Sequence, residues 1–358
     1  MNRCIKCGLA FDYPESHSEI IDDTCLYCKD FNKKIFLGED TLIDRLQNYE
    51  KIGVSVSGGK DSIYVWYWLV SKFGSNRVIA FNHNKGKAVD PIASENILRA
   101  QKILKSEVVV IYDSEFYPRF VKNLSTYIKN PNPAIARAVL CSGCRYGISQ
   151  RIFDEAKKYD VNCIVNGSSY LEKVPFKSYH MKQYGDGSEI RGLLKGLYET
   201  DEYLSKENLE IIIRDHFYSH EINLSNQKNS ANIDYINFFD YLENDIKRIK
   251  SIVTSKLDWK HPKNSDWHFD CIIEKFKNYF YLIEYGYSEV DFKYSEMVRY
   301  GLLSRDEAIS LLKEDNEKML NSFNDLVDTL VKLEVDFETI VAFKNLHNSK
   351  IELICNCN

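Results

Sequence analysis

The sequence predicts an α/β protein: a doubly wound parallel sheet, preceded by a zinc-ribbon-like cysteine segment and followed by a mostly helical carboxyl-terminal region. Three observations carry this reading. Short β-branched runs at 52–56, 78–81, 108–112 and 163–165 alternate with stretches of helical periodicity, the pattern of parallel strands joined by helical crossovers. The hexapeptide Ser57-Gly58-Gly59-Lys60-Asp61-Ser62 stands where the first of those runs gives way to a helix. Cysteines recur in Cys-x-x-Cys pairs, at 4/7, 25/28 and 141/144.

At 358 residues the chain can bury a sizeable core and is expected to divide into segments 1–35, 36–225 and 226–358. A hydrophobic content of 44% with 7 prolines excludes a disordered composition. The first residues run into polar sequence without an apolar signal core, and no stretch reaches the roughly 18 apolar residues of a membrane span. A cytoplasmic protein without membrane contact is therefore expected. The net charge of −5 argues against wholesale binding to a phosphate backbone.

The first segment, to about Lys34, has too few apolar residues for a core of its own, so a metal must order it. Cys4-x2-Cys7-x17-Cys25-x2-Cys28 has the spacing of two knuckles that place four thiolates around Zn2+. Such a closed site holds structure together and leaves no position for catalysis.

Next comes the alternating region. Ile52 to Val56 reads as a buried strand and Ile63 to Lys72 as the following helix; Val78 to Phe81 is the second strand and Pro91 to Leu104 the second helix. Val108 to Tyr112 is a third strand, Ile148 to Tyr159 a helix, and Cys163 to Val165 a fourth strand. Ser225 to Asn232 reads as a linker. Beyond it, Ile236 to Lys256, Ile272 to Tyr285, Arg305 to Lys313 and Glu317 to Leu333 read as helices.

The loop at 57–62 sits where backbone N–H groups and a helix dipole converge on an anion. Gly58 and Gly59 let the main chain approach phosphate oxygens, Ser57 and Ser62 offer hydroxyls, Lys60 a positive charge and Asp61 a ligand for Mg2+. It is not a Walker A loop: Gly53 and Gly58 have the glycine spacing, but Gly59 stands where the lysine belongs and Asp61 follows Lys60. The chemistry should therefore differ from γ-phosphoryl transfer.

Ser-Gly-Gly-Lys-Asp-Ser after a strand resembles the PP-loop of the ATP pyrophosphatases. The resemblance implies cleavage of ATP between its α and β phosphates, with Lys60, Asp61 and Ser62 at the chemistry and the loop cradling pyrophosphate. It also implies that Ser55 and the 57–62 loop, Asn82 and His83 at the end of the second strand, and Gly167 after the fourth bind ATP. Glu172 falls where many members carry an acidic residue.

The pair Cys141/Cys144 precedes a helix on the side of the sheet where open α/β folds bind ligands. Three readings stay open for it: a metal or iron–sulfur centre, a sulfur relay, or plain packing. In sulfur-inserting PP-loop enzymes such a pair and one distant cysteine hold an iron–sulfur cluster, and Cys271 is the candidate third ligand. Cys163 reads as buried packing, and Cys355 and Cys357 as tail residues.

Over most of its length the chain is also similar to the N-acetyl sugar amidotransferases. The cysteine knuckles, the loop, Leu140-Cys141-Ser142-Gly143-Cys144 and the cadence of Leu257 to Pro262, Gly286-Tyr287, Val298 to Gly301 and Ser304 to Ala308 carry that resemblance, although Asp258 stands where a glycine is commoner. It implies adenylation of an acetamido oxygen and its replacement by ammonia, giving an acetamidino group. Residue 2 is Asn, and no Gly-x-Cys-x-Gly elbow occurs, so a separate glutaminase with an ammonia-channel subunit is the expected partner. Two other readings compete. One is PP-loop tRNA thiolation through the central cysteines, and the other is a non-catalytic adaptor, which leaves the loop unexplained.

Overall fold

Apolar side chains on both faces of the central strands set the architecture. The computed structural model describes residues 3–16, 22–114, 116–136, 140–141, 143–172, 174–182, 232–262 and 270–355. Strands β1 (Ile52–Ser55), β2 (Val78–Asn84), β3 (Glu107–Tyr112), β4 (Cys163–Asn166) and β5 (Asp234–Asn237) form one parallel sheet in the order β3-β2-β1-β4-β5. The order reverses beside β1, so the carboxyl end of β1 opens the crevice where such sheets take their ligands.

One face of the sheet packs Val54, Ala80 and Val165 against Val65 and Leu69 of α3 (Lys60–Phe73), Ile97 of α4 (Pro91–Leu104) and Val253 of a later helix. The opposite face packs Ile79, Val109 and Ile164 against Ile152 and Phe153. Those two belong to the helix Gly143–Lys158. Helices on both faces explain the nearly continuous apolar runs of the inner strands. Two buried polar side chains satisfy each other here: Trp66 Nε1 donates to Ser106 Oγ at 3.0 Å, and that hydroxyl donates to Val78 O at 2.6 Å. Helix α4 begins where its sequence says it should, with Asp90 accepting from the Ile92 amide and Pro91 in the first turn.

The remaining described helices, numbered in chain order, are α1 (Leu26–Lys29), α2 (Glu39–Gln47), α5 (Phe116–Lys129), α6 (Gly143–Lys158), α7 (Pro175–Lys182) and α8 (Ile246–Leu257). After them come α9 (Ile273–Tyr285), α10 (Glu289–Arg299), α11 (Arg305–Asn321), α12 (Phe323–Lys332) and α13 (Phe337–Cys355). Capping boxes start two of them: Ser288 with Asp291 opens α10, and Ser304 with Glu307 opens α11.

Two expectations change. The stretch read as a helix from Ile236 begins instead as edge strand β5, paired with β4 through Ile236 and Val165, and helix starts only at Ile246. The two helices read across 305–333 meet at Ser322, not near 315, because α11 runs on to Asn321. The linker read at 225–232 lies outside the described residues except for Asn232.

A second apolar core lies away from the sheet. It joins Cys4, Leu9, Tyr13 and Cys25 of the first segment to Leu124 of α5, Phe276 and Tyr279 of α9, Leu330 of α12 and Phe343 of α13. The cysteine segment, too poor in apolar residues to fold alone, thus borrows its core from the carboxyl-terminal helices. No helix among the described residues is long and apolar enough to cross a membrane.

Candidate functional site

The loop between β1 and α3 is shaped by its two glycines and two serines. Gly58 has φ +88°, and a Cβ built there would lie 2.2 Å from Ala93 O, so no other residue fits without moving α4. Ser62 Oγ accepts from the Ser57 amide at 3.2 Å and donates to Gly59 O at 3.0 Å, folding the loop over the first turn of α3. Lys60 Nζ pairs with Asp61 Oδ2 at 2.5 Å, and Asn244 Nδ2 donates to Asp61 Oδ1 at 3.3 Å. Trp259 Nε1 donates to Gly58 O at 3.0 Å and Asn96 Nδ2 to the same oxygen at 3.3 Å. Asn96 also holds Lys260 through both its amide N–H and its carbonyl, tying the loop to the chain leaving α8.

Ser55, Ser57, Gly59, Lys60, Asp61 and Ser62 open onto one cavity of about 660 Å3. Gly167 closes in on the loop from β4, with room for a Cβ only at 3.2 Å from Asp61 C and Ser62 N. Glu172 lies on the same cavity, and the helical region contributes Asp270, Glu274, Glu289, Lys293 and Asp315. Asn82 and His83 line an adjoining smaller cavity of about 70 Å3, which shares Ser55 and Ser57 with the larger one. Asn82 Nδ2 is engaged by Val56 O at 2.8 Å, and His83 is buried with Nε2 3.8 Å from Asp113 Oδ2. Burial holds the His83 pKa below its ordinary value, against the pull of Asp113.

A buried ionic cluster backs the cavity. Lys277 Nζ lies 2.6 Å from Glu274 Oε2, 2.7 Å from Glu289 Oε1 and 3.7 Å from Cys141 Sγ, and Glu289 also pairs with Lys177. Burial works against the Lys277 charge, but Cys141, Glu274 and Glu289 around it hold its pKa well above the ordinary lysine value. Cys271 follows the cavity residue Asp270 and is near enough to Cys141 for the two thiols to interact electrostatically. Burial pushes the Cys271 thiol up to about 11. Cys144 lies on the first turn of α6, and its side chain is outside the described residues. Cys163 is fully buried in β4, in packing as expected.

The four amino-terminal cysteines converge: Cys4, Cys7, Cys25 and Cys28 bring their Sγ atoms within 4.8 Å of one another. Among the described residues they are the only group of three or more such side chains able to hold a metal ion. Cys7 and Cys25 Sγ lie 3.6 Å apart, and Cys4 and Cys28 3.8 Å. The Cys25 amide donates to Cys4 Sγ at 3.4 Å and Arg299 Nη1 to Cys7 Sγ at 3.3 Å. Four thiolates around a divalent ion carry net negative charge, which the half-buried Arg299 at the end of α10 partly offsets.

Sequence motifs flagged the loop, Gly167 and the cysteines. Nothing local flagged Asn244, Trp259, Asp270, Glu289 or Lys293, because each reaches the loop or its cavity from more than a hundred residues downstream.

No family model matches the chain, and no curated protein matches it. Among solved structures it is similar to the U34-tRNA thiolase NcsA from Methanococcus maripaludis with its [4Fe-4S] cluster. The two share 19% sequence identity over 84% of this chain and 87% of that one, with a TM-score of 0.38. The expectation of an N-acetyl sugar amidotransferase is corrected here: the solved structure to which the chain is similar is a tRNA thiolase.

Proposed function

We propose that the chain is a PP-loop enzyme that uses ATP to adenylate a base carbonyl of a tRNA and replaces that oxygen with sulfur. The observation that carries this reading is a juxtaposition. Cys141 touches buried Lys277, which pairs with the cavity residue Glu274, and Cys271 follows the cavity residue Asp270 in the chain, beside the cavity into which Ser57 to Ser62 opens. A phosphate cradle explains activation of an oxygen, and adjoining thiols explain what replaces it.

In the first step the acceptor oxygen bonds to the α phosphorus, the bond from that phosphorus to the bridging oxygen breaks, and pyrophosphate leaves with the electron pair. A hydrosulfide sulfur then bonds to the activated carbon and gives up its proton, and the original oxygen leaves with its electron pair as AMP. The loop amides and Lys60 hold the leaving pyrophosphate, and Asp61 is placed to carry Mg2+. Holding the carbonyl close to the α phosphate is itself a large part of the rate, since it replaces an encounter with a fixed geometry. Were an iron–sulfur cluster bound, Cys141, Cys144 and Cys271 would hold it, and it would supply a docking point for sulfide. The amino-terminal four-cysteine site takes Zn2+ and is structural.

The test is turnover by anaerobically purified full-length protein with MgATP, sulfide and bulk tRNA. The expected result is tRNA-dependent release of AMP and pyrophosphate and a thiolated nucleoside in the digested tRNA. Formation of ADP, or AMP release indifferent to tRNA and sulfide, would refute the assignment.

A further inference from the structure

The nucleotide cavity holds a cation that the loop chemistry leaves unused. Lys293, half-buried on α10, lines the cavity together with Ser57, Gly59 and Lys60. Its surroundings are mixed. Lys60 faces it with like charge, while Glu172, Asp61 and Asp315 attract it. None of those acids is in contact with it: Asp61 is taken by Lys60 and Asn244, and Asp315 accepts from the Tyr294 hydroxyl. Among the described residues Lys293 makes no hydrogen bond or ion pair. Burial, and then Lys60, hold its pKa below the ordinary lysine value.

An ammonium withdrawn from water without a bonded partner is costly, and a second ammonium at the same cavity adds repulsion. Both costs vanish when a polyanion enters between them. We infer that Lys293 is a second phosphate-binding cation of the ATP site, supplied by α10 and acting on the triphosphate together with Lys60. This rests on the nucleotide reading of the loop and extends it to a residue that no loop motif contains. As the bond between the α phosphorus and its bridging oxygen breaks, negative charge gathers on the departing pyrophosphate. A fixed ammonium there stabilises that charge without reorganisation of water.

The experiment is calorimetric titration of the full-length protein with MgATP, comparing the unsubstituted chain with Lys293→Met, Lys293→Arg and Lys60→Ala at low and high salt. Lys293→Met should weaken binding by about tenfold or more, the scale of one charge-assisted hydrogen bond, and should flatten the salt dependence. Lys293→Arg should recover most of the affinity, and the thermal midpoint of Lys293→Met should not fall. A role in packing alone would lower the midpoint and leave the salt dependence unchanged, and that outcome overturns the inference. If the unsubstituted chain binds MgATP, Lys60→Ala does not and Lys293→Met binds normally, the loop assignment stands and Lys293 is wrong. Failure of the unsubstituted chain to bind MgATP would remove the nucleotide reading and this inference together.

Discussion

Gly58 concentrates the local demands of the site. Its φ of +88° lies in the left-handed region and its missing Cβ leaves room for Ala93. Gly58→Ala should therefore cost about 1–3 kcal/mol from the backbone alone, with the clash added. The expected result is a lower unfolding midpoint and lost MgATP binding, checked by thermal melts and titration. Trp259→Phe is a milder probe of the same residue. It keeps an aromatic ring, smaller than the indole, but removes the donor to Gly58 O, costing about 1 kcal/mol for the hydrogen bond with the lost packing added, and loosening the loop. MgATP affinity should fall while the fold persists; unaltered affinity would mean that Asn96 alone holds that carbonyl. The Ser-Gly-Gly-Lys-Asp-Ser run was legible because its glycines, hydroxyls and charges are adjacent in the sequence. Trp259 was not, because an indole in a polar stretch reveals nothing about the carbonyl it meets.

Helix α10 shows how one element can serve two sites. Glu289, Val290, Lys293, Tyr294 and Met297 line the cavity at the 57–62 loop, while Arg299 ends at the four cysteines. Its capping acid Asp291 is buried, and burial raises its pKa to about 6 despite the opposing Ser288 amide. An unfolded aspartate titrates near ~3.9. Between those values the folded state binds more protons than the unfolded one, so Asp291 lowers stability as pH rises from about 4 to 6 and adds no further slope above. Asp291→Asn can still accept the Ser288 amide but cannot ionise. Compared by melts across that window, the unsubstituted chain should lose midpoint relative to Asp291→Asn with rising pH, and parallel curves would contradict the assignment. Strand β5 is the converse case. Asp-Tyr-Ile-Asn has one aliphatic residue, and only its pairing with β4 makes it a strand.

At the scale of the whole molecule the four-cysteine group and the cavity at the 57–62 loop are joined through α10 and the second apolar core. Removing the metal should therefore act at a distance. Chelation, or Cys4→Ser, is expected to lower the unfolding midpoint and weaken MgATP binding in parallel. Cys4 belongs to the core that also holds Phe276 and Tyr279, and Arg305 Nε donates to Cys4 O at 3.0 Å. A melt and a titration on the same chelated sample check this; full MgATP affinity with a lowered midpoint would show the two centres to be independent. The sequence by itself determined the alternating sheet, the phosphate loop after its first strand and the four-cysteine set, because strand periodicity, glycine backbone freedom and ligand spacing are properties of neighbouring residues. Only the tertiary structure decided that Trp259 and Asp270 meet that loop, that Lys293 lines its cavity, that Asn82 and His83 line an adjoining small cavity, and that the Cys141 and Cys271 thiols influence each other. Those meetings depend on how helices pack across the chain, and helical periodicity tells which face is buried but not what the face will touch.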